Sequence, residues 1–278
     1  MKKLGTIFTS VVLTLVLLFS LTACGGQKVK VLEIELTTEE YAFAISKEND
    51  TLKTAVNELL AEKEADGSLD TLINSYFDGT ATFTYTNPAS SDGCFVVATN
   101  AYFPPFEYME GEKFVGVDIE IASLIAKKLG KTLFIKNIDF DAVITDVQQG
   151  KSDIAMAGIT VNAEREQLIN FSTPYYASAQ VLVVREDDTT FSGCTTAEEV
   201  ENILKAKDTN FKVGTQAGTT GYMYSAGDVD FGYDGFKNLT TTPYKTGALA
   251  ITDLANGKID AVIIDKQPAI MIAKSVNG

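Results

Sequence analysis

The sequence contains no histidine and no tryptophan, and its 278 residues include only three cysteines and six prolines. The missing histidine removes the commonest general base, the Ser-His and Cys-His nucleophile pairs and the usual transition-metal ligand. That argues against ordinary hydrolase chemistry, and neither a metal nor another cofactor is expected. Positive charge is also scarce. Twenty-three Lys and Arg stand against 37 Asp and Glu, a formal net charge of −14, with a sequence pI near 4.5. Nucleic acid is a poor partner for such a chain, because phosphate binding needs a basic face. What the chain does have is apolar content: 45% of its residues are hydrophobic. That suffices for a core in one or two domains and argues against wholesale disorder.

The start of the chain indicates its destination. Lys2 and Lys3 form a short basic region, and VVLTLVLLFSL (11–21) is an apolar run too short to span a bilayer comfortably. LTAC then ends at Cys24. The segment 1–23 resembles a bacterial lipoprotein signal peptide, which implies that the Cys24 thiol takes a lipid and becomes the mature N-terminus. Cleavage there removes two lysines and no acid, so the mature body is more acidic still. It is expected to stay soluble beside an anionic membrane surface rather than lie on it. Export permits a disulfide between the remaining Cys94 and Cys194. Sequence leaves that pairing open and favours two small buried residues.

From residue 95 onward the pattern is α/β. FVVAT (95–99), LFIKNI (133–138), DIAMAGI (153–159), SAQVLVVRE (178–186), FKVGT (211–215) and DAVIID (260–265) read as strands. Between them lie helical patterns over 117–130, 141–150, 196–206 and 246–256. In the first, Asp118 is expected to cap the N-terminus, Ile121, Leu124, Ile125 and Leu129 form a stripe, and Gly130 stops the helix. Such alternation implies parallel sheets with sites at strand ends. TDVQQGKSDIAM (145–156) and TDLANGKIDAVI (252–263) echo each other, a faint sign of one supersecondary unit used once per lobe. Ahead of all this, 28–77 reads as strand, short strand and two helices. Leu52, Val56, Leu59 and Leu60 share one helical face, and Ser68 is the expected cap of the second helix. DGTATFTYTNPASSDG (78–93) reads as a linker.

The stretch richest in chemistry is DIAMAGITVNAEREQLINFSTPYY (153–176). Gly158 and Thr160 follow a buried strand, and Arg165 comes five residues after Thr160. A strand-end hydroxyl, exposed backbone and a guanidinium can hold a carboxylate, with Arg supplying two parallel hydrogen bonds. This stretch resembles the signature of family 3 extracellular solute-binding proteins, the amino-acid receptors of ABC importers. The likeness extends to ATNAYFPPFEY (98–108), GVDIEIA (116–122), FDAVITDVQQGK (140–151), VGTQAGTTGY (213–222) and IDAVIID (259–265).

The resemblance implies the two-lobe α/β periplasmic-binding-protein fold of type II, with two hinge strands and an amino acid buried in the cleft. Carried over position by position, Arg165 would bind the ligand carboxylate, with Thr160 adding a hydroxyl. Thr220, in the same turn as Gly218, would offer a backbone N–H from the other lobe. Asp265 and the Gly158 carbonyl would take the ammonium, so that both charges of a zwitterion are paired out of water. Phe103 and Phe140 would cover the aliphatic stem. The variable positions, Asn100, Gln216 and Ile264, are all uncharged and favour an uncharged polar ligand. Glu107 would reverse that preference if it pointed into the cleft, and is otherwise a rim acid.

TTEEYAFAIS (37–46) raises a question of order, because in this family a segment like 28–77 follows the DAVIID helix rather than preceding everything else. The chain is therefore read as a circular permutant. Lobe 2 comprises 28–36 and 187–278, lobe 1 comprises 42–77 and 94–182, the hinges are 37–41 and 182–187, and 78–93 joins the ancestral ends. A flexible sixteen-residue chain spans roughly 20–24 Å, enough to close within one molecule and leave a monomer rather than a swapped dimer. Residues 28–36 are expected beside the strand at 260–265. The leading expectation is a lipid-anchored receptor on the extracellular face of the membrane. It would bind a polar amino acid and hand it to ABC permease subunits. A ligand sensor serving a separate signalling partner is the alternative, and a lyase-type enzyme on the same fold is a weaker one.

Overall fold

A computed structural model describes residues 26–278; Cys24 and the signal-like segment before it lie outside the described residues. Two five-stranded sheets form the frame. In the first, Phe95–Thr99 pairs in parallel with Leu133–Asn137 on one side and Ile154–Ala155 on the other, followed by Ala44–Ile45 and Asn170–Phe171. In the second, Lys212–Gln216 pairs in parallel with Thr240–Tyr244 and Ala261–Asp265, followed by Gln180–Arg185 and Val29–Leu32. The two sheets share one plan: a parallel trio, an antiparallel strand, then an edge strand. The echoing segments lead into Ile154–Ala155 and Ala261–Asp265, which hold equivalent places in that plan.

Both sheets are covered on both faces, as parallel strands require. Over the first lie Asp50–Ala65, Ser68–Phe77 and Val117–Lys128, with Val143 and Val147 of Val143–Gln148 on its far side. Over the second, Gly247–Ala255 and Lys266–Asn277 cover one face, while Ala197–Lys205 and Thr220–Ala226 cover the other with Val200, Leu204 and Tyr224. Among the described residues no helix is long and apolar enough to cross a membrane.

The sheets are joined through a two-stranded ribbon in which Glu39–Tyr41 pairs with Tyr176–Ser178. The second crossing comes before the expected 182–187. Gln180–Arg185 is already the penultimate strand of the second sheet, so the chain crosses before residue 180 and the boundary at 182–187 falls inside a lobe. For the same reason Val29–Leu32 does not neighbour Ala261–Asp265, because Gln180–Arg185 lies between them.

Local signals fail in two instructive places. Ser68 is the first helical residue rather than the cap; Gly67 holds that position at φ 71°, and Asp66 Oδ1 accepts from Ser68 N at 2.8 Å. Asp118 does not cap its helix either. Gly116 begins it at φ 130°, where a Cβ would sit 2.1 Å from the Phe106 carbonyl oxygen, so only glycine fits. Asp118 instead turns into the core.

The 78–93 segment is not a free coil. Tyr85 pairs with Phe114, its hydroxyl donates to the Leu133 carbonyl, and the Asn87 amide bonds both N and O of Ile135 at 2.8 Å. The segment is fastened along the first lobe. Cys94 and Cys194 are unpaired and only partly buried.

Candidate functional site

Chain geometry brings the polar loops of both lobes to one cleft, because they all follow the carboxyl ends of parallel strands. Asn100 follows Phe95–Thr99, Phe140 follows Leu133–Asn137, and Gly158 and Thr160 follow Ile154–Ala155. From the second lobe, Gln216 and Asp265 are the last residues of their strands, and Thr220 opens Thr220–Ala226. These residues, with Phe103, Arg165 and Thr219, line one small cavity between the lobes, with about 10 Å³ of room for water. Of the ten residues expected at the site, nine line it. Gly218 stands just behind, and its carbonyl accepts from Arg165 Nη2 at 3.2 Å.

Arg165 is set by its helix cap. The Asn162 side chain accepts from Arg165 N at 2.8 Å and starts the short helix Ala163–Leu168. The guanidinium gives Nη1 to the Thr160 carbonyl at 2.8 Å and lies between the rings of Phe140 and Phe231, at 5.7 and 5.5 Å. Burial pulls its pKa down to about 10, against the pull of Glu39 and Asp265, so it stays charged near neutrality. Gly158 has φ 53°, and a Cβ there would meet Phe103 at 2.9 Å; its carbonyl can approach a ligand because no side chain intervenes.

Asp265 forms the opposite pole. It accepts from the Tyr41 hydroxyl, which in turn accepts from Ser178 Oγ at 3.1 Å. Burial, and then the charge of Glu39, push the Asp265 carboxyl up to about 7. Between the poles the lining is neutral. Gln216 Nε2 donates to Asn100 Oδ1 across the lobes at 3.0 Å, and Asn100 Nδ2 is anchored on the Ile138 carbonyl at 2.7 Å.

Two expectations near the site need correction. Ile264 is not a wall of the cavity; it packs in the core against Gly247. Glu107 is neither in the cleft nor on its rim, but fully buried behind it. Sequence reasoning also misses Thr219, Phe231, Tyr41, Glu39 and Gln180. TTEEY reads as a hinge and no more, although a tyrosine and an acid spaced by two on a strand point to one face. Among the described residues there is no cluster fit for a metal ion.

Comparison with known proteins agrees with this geometry. Residues 95–262 match the model of bacterial extracellular solute-binding proteins, family 3. A putative ABC transporter arginine-binding protein 2 of Escherichia coli K12 is 33% identical over 169 residues, 60% of this chain and 61% of that protein. The chain therefore spans about three fifths of that relative's length. A Gly52Ala mutant of the arginine-bound protein ArgBP from T. maritima superposes with a TM-score of 0.57 at 30% identity, covering 66% of this chain and 79% of that one. An ancestral arginine-binding protein bound to glutamine gives 0.54 at 33% identity, covering 66% and 74%. These relatives are binding proteins rather than enzymes.

Proposed function

The chain belongs to the bacterial extracellular solute-binding proteins of family 3, and from that premise we propose that it captures a free, uncharged polar amino acid between its lobes and delivers it to an ABC importer. One observation carries the reading: Arg165 and Asp265 face one small cavity from different lobes, with only amides, hydroxyls and aromatic rings between them. A zwitterion laid between the two poles has both charges paired. Arg165 and the Thr220 N–H take its carboxylate, while the Thr160 hydroxyl, expected to join them, donates to Glu39 Oε2 at 2.6 Å. Asp265 and the Gly158 carbonyl take its ammonium, and Phe103 and Phe140 flank its stem. Asn100 and Gln216 then meet the ligand's side chain. Arg165 and Asp265 are the charged side chains that line the cavity itself, and Glu39 beneath it is already bonded to Thr37, Thr160 and Gln180, so an arginine side chain would be buried without a free counter-ion, at a cost of several kcal/mol. The receptor acts as a monomer on the extracellular face of the membrane, tethered through lipid on Cys24.

Thermal unfolding of residues 25–278 against the twenty amino acids and cystine tests this. A ligand at a hundred times its Kd adds about 2.7 kcal/mol, a shift of several degrees. The expected hit is an uncharged polar amino acid, with arginine shifting the transition less. A largest shift from arginine or aspartate would sink the specificity, and no shift from any of them would sink the binding function.

The same reading holds that the chain is a circular permutant. Three observations support it. The stretch matching the family model begins only at residue 95. Helices Asp50–Ala65 and Ser68–Phe77 pack on Val117–Lys128, with Tyr76 bonded to Glu120 at 2.7 Å and Lys128 to Glu62 at 3.0 Å. At the seam, the Asn277 side chain bonds both N and O of Val29, at 2.9 and 2.8 Å. A chain rejoined from Gly278 to Lys28 through a short glycine linker, and opened at the exposed Asp92–Gly93, is expected to bind the same amino acid with affinity within a few-fold. Failure of the rejoined chain to fold cooperatively would count against the permutation.

A further inference from the structure

The cleft floor holds a second carboxylate for which the zwitterion reading has no use. Glu39 is 3% exposed. Its Oε1 accepts from the Thr37 hydroxyl at 2.6 Å and the Gln180 amide at 3.0 Å, and its Oε2 from the Thr160 hydroxyl at 2.6 Å. Asp265 is its neighbour in two ways. Tyr41, two residues further along the same strand, gives its hydroxyl to Asp265, and Gln180, which bonds Glu39, is the register partner of Asp265. Among the described residues the buried cation nearby is Arg165, and its guanidinium bonds go to the carbonyls of Thr160 and Gly218 rather than to either acid. Two carboxylates that share one low-dielectric floor without a bonded cation do not both ionise readily.

We propose that Asp265, crowded by the neighbouring Glu39 carboxyl, holds a proton until a ligand ammonium takes its place, so that amino-acid binding releases a proton from the cleft floor. This rests on Asp265 as the partner of the ammonium. The charges balance: the incoming ammonium needs a carboxylate acceptor, Asp265 surrenders its proton to solvent, and the ligand enters and stays a zwitterion. Asp118, bonded to Gly158 N beneath the cleft, titrates in the same range, at about 7, and the remaining groups facing the pair do not change charge near neutrality. Tyr41 on the same strand, Tyr176 on the paired hinge strand and Tyr233 from the second lobe are held protonated by burial and by the acids themselves. Glu107 behind the site is held protonated by its own burial, and Arg165 stays charged. Asp265, at about 7, sets the window. Because the ligand selects deprotonated Asp265, affinity rises with pH by up to tenfold per unit below 7 and levels off above it.

The test works with the ligand unidentified. An equimolar mixture of the twenty L-amino acids and cystine, adjusted to pH 6, is added to the mature chain in weakly buffered indicator solution, with thermal unfolding read in parallel. The expected result is stabilisation with close to one proton released per chain. In Glu39→Gln the repulsion is gone while burial still raises Asp265, so stabilisation is expected to persist with proton release reduced below that of the wild type. In Asp265→Asn stabilisation disappears. Wild-type stabilisation without proton release overturns the proposal and leaves the ammonium reading standing. Stabilisation that survives Asp265→Asn overturns both, as does the absence of stabilisation in the wild type.

Discussion

Arg165→Ala is expected to abolish the ligand-induced shift in unfolding temperature while leaving a cooperatively folded chain. The guanidinium is buried between two rings and bonds two carbonyls, and among the described residues no carboxylate lies within bonding distance of it. Its hydrogen bonds in the ligand-free fold are therefore modest and replaceable by water. A bound carboxylate has no such substitute. Removing one partner of a buried, hydrogen-bonded charge pair costs about 2–5 kcal/mol, mostly because the other charge is left unpaired; that is roughly 30-fold to several thousand-fold in Kd. Arg165→Lys separates charge from shape. It keeps the positive charge but not the planar fork, nor the stacking on Phe140 and Phe231, so affinity is expected to fall by an intermediate factor. Isothermal titration of both variants with the amino acid found by unfolding gives the two numbers. Wild-type affinity in Arg165→Ala would remove the carboxylate from this end of the cavity.

The site is largely legible in the sequence because its residues are local to strand ends. A buried run followed by Gly and Thr marks where a parallel strand leaves its sheet, and both lobes repeat that signal. The features that escape are those set by distant partners. Glu39 takes hydrogen bonds from Thr160 and Gln180, each more than a hundred residues away, and no local pattern encodes that. Gln180–Arg185 is buried along five of its six residues; such a run looks the same in either sheet, which displaces the expected hinge boundary by several residues. The polar composition of 78–93 suggests a loose tether, yet Tyr85 and Asn87 fasten it to backbone left open at the edge strand Leu133–Asn137. Asp118 obeys the capping pattern in sequence and breaks it in space. Gly116 admits the close approach of Phe106, and that brings Asp118 under the cleft, where a better use for a carboxylate exists.

That use leads to the second large effect, a fall in stability as pH rises that Glu107→Gln should relieve. Glu107 is fully buried and neither of its oxygens has a donor. The carboxyl beside it is that of Asp118, which accepts from the Tyr175 hydroxyl at 2.6 Å and from Gly158 N at 3.1 Å. Burial, and then the Asp118 charge, hold Glu107 well above the carboxylate range; burial raises Asp118 to about 7 in spite of its hydrogen bonds. Unfolded carboxyls titrate near 4. From about pH 4 to 7 the folded chain therefore binds more protons than the unfolded chain, and folding loses free energy as pH rises through that window. Above 7 Asp118 is ionised and its share is lost, while Glu107 keeps its proton and the decline continues. Glutamine preserves the size of Glu107 and can donate an N–H to Asp118 without carrying a titrating proton. Glu107→Gln is thus expected to match the wild type at pH 5 and to melt several degrees higher at pH 8, at about 2–4 °C per kcal/mol for a chain of this size. Repulsion from the surplus of surface acids is common to both proteins and cancels in the difference. Asp118→Asn should behave in the opposite way. It leaves one acceptor oxygen where the carboxyl offers one each to Tyr175 and Gly158 N, so it should lower stability at pH 5, where the wild-type carboxyl is protonated, and weaken ligand binding as well. Equal destabilisation of Glu107→Gln at pH 5 and pH 8 would mean that the two acids do not share a proton, and that Glu107 serves only to fill space.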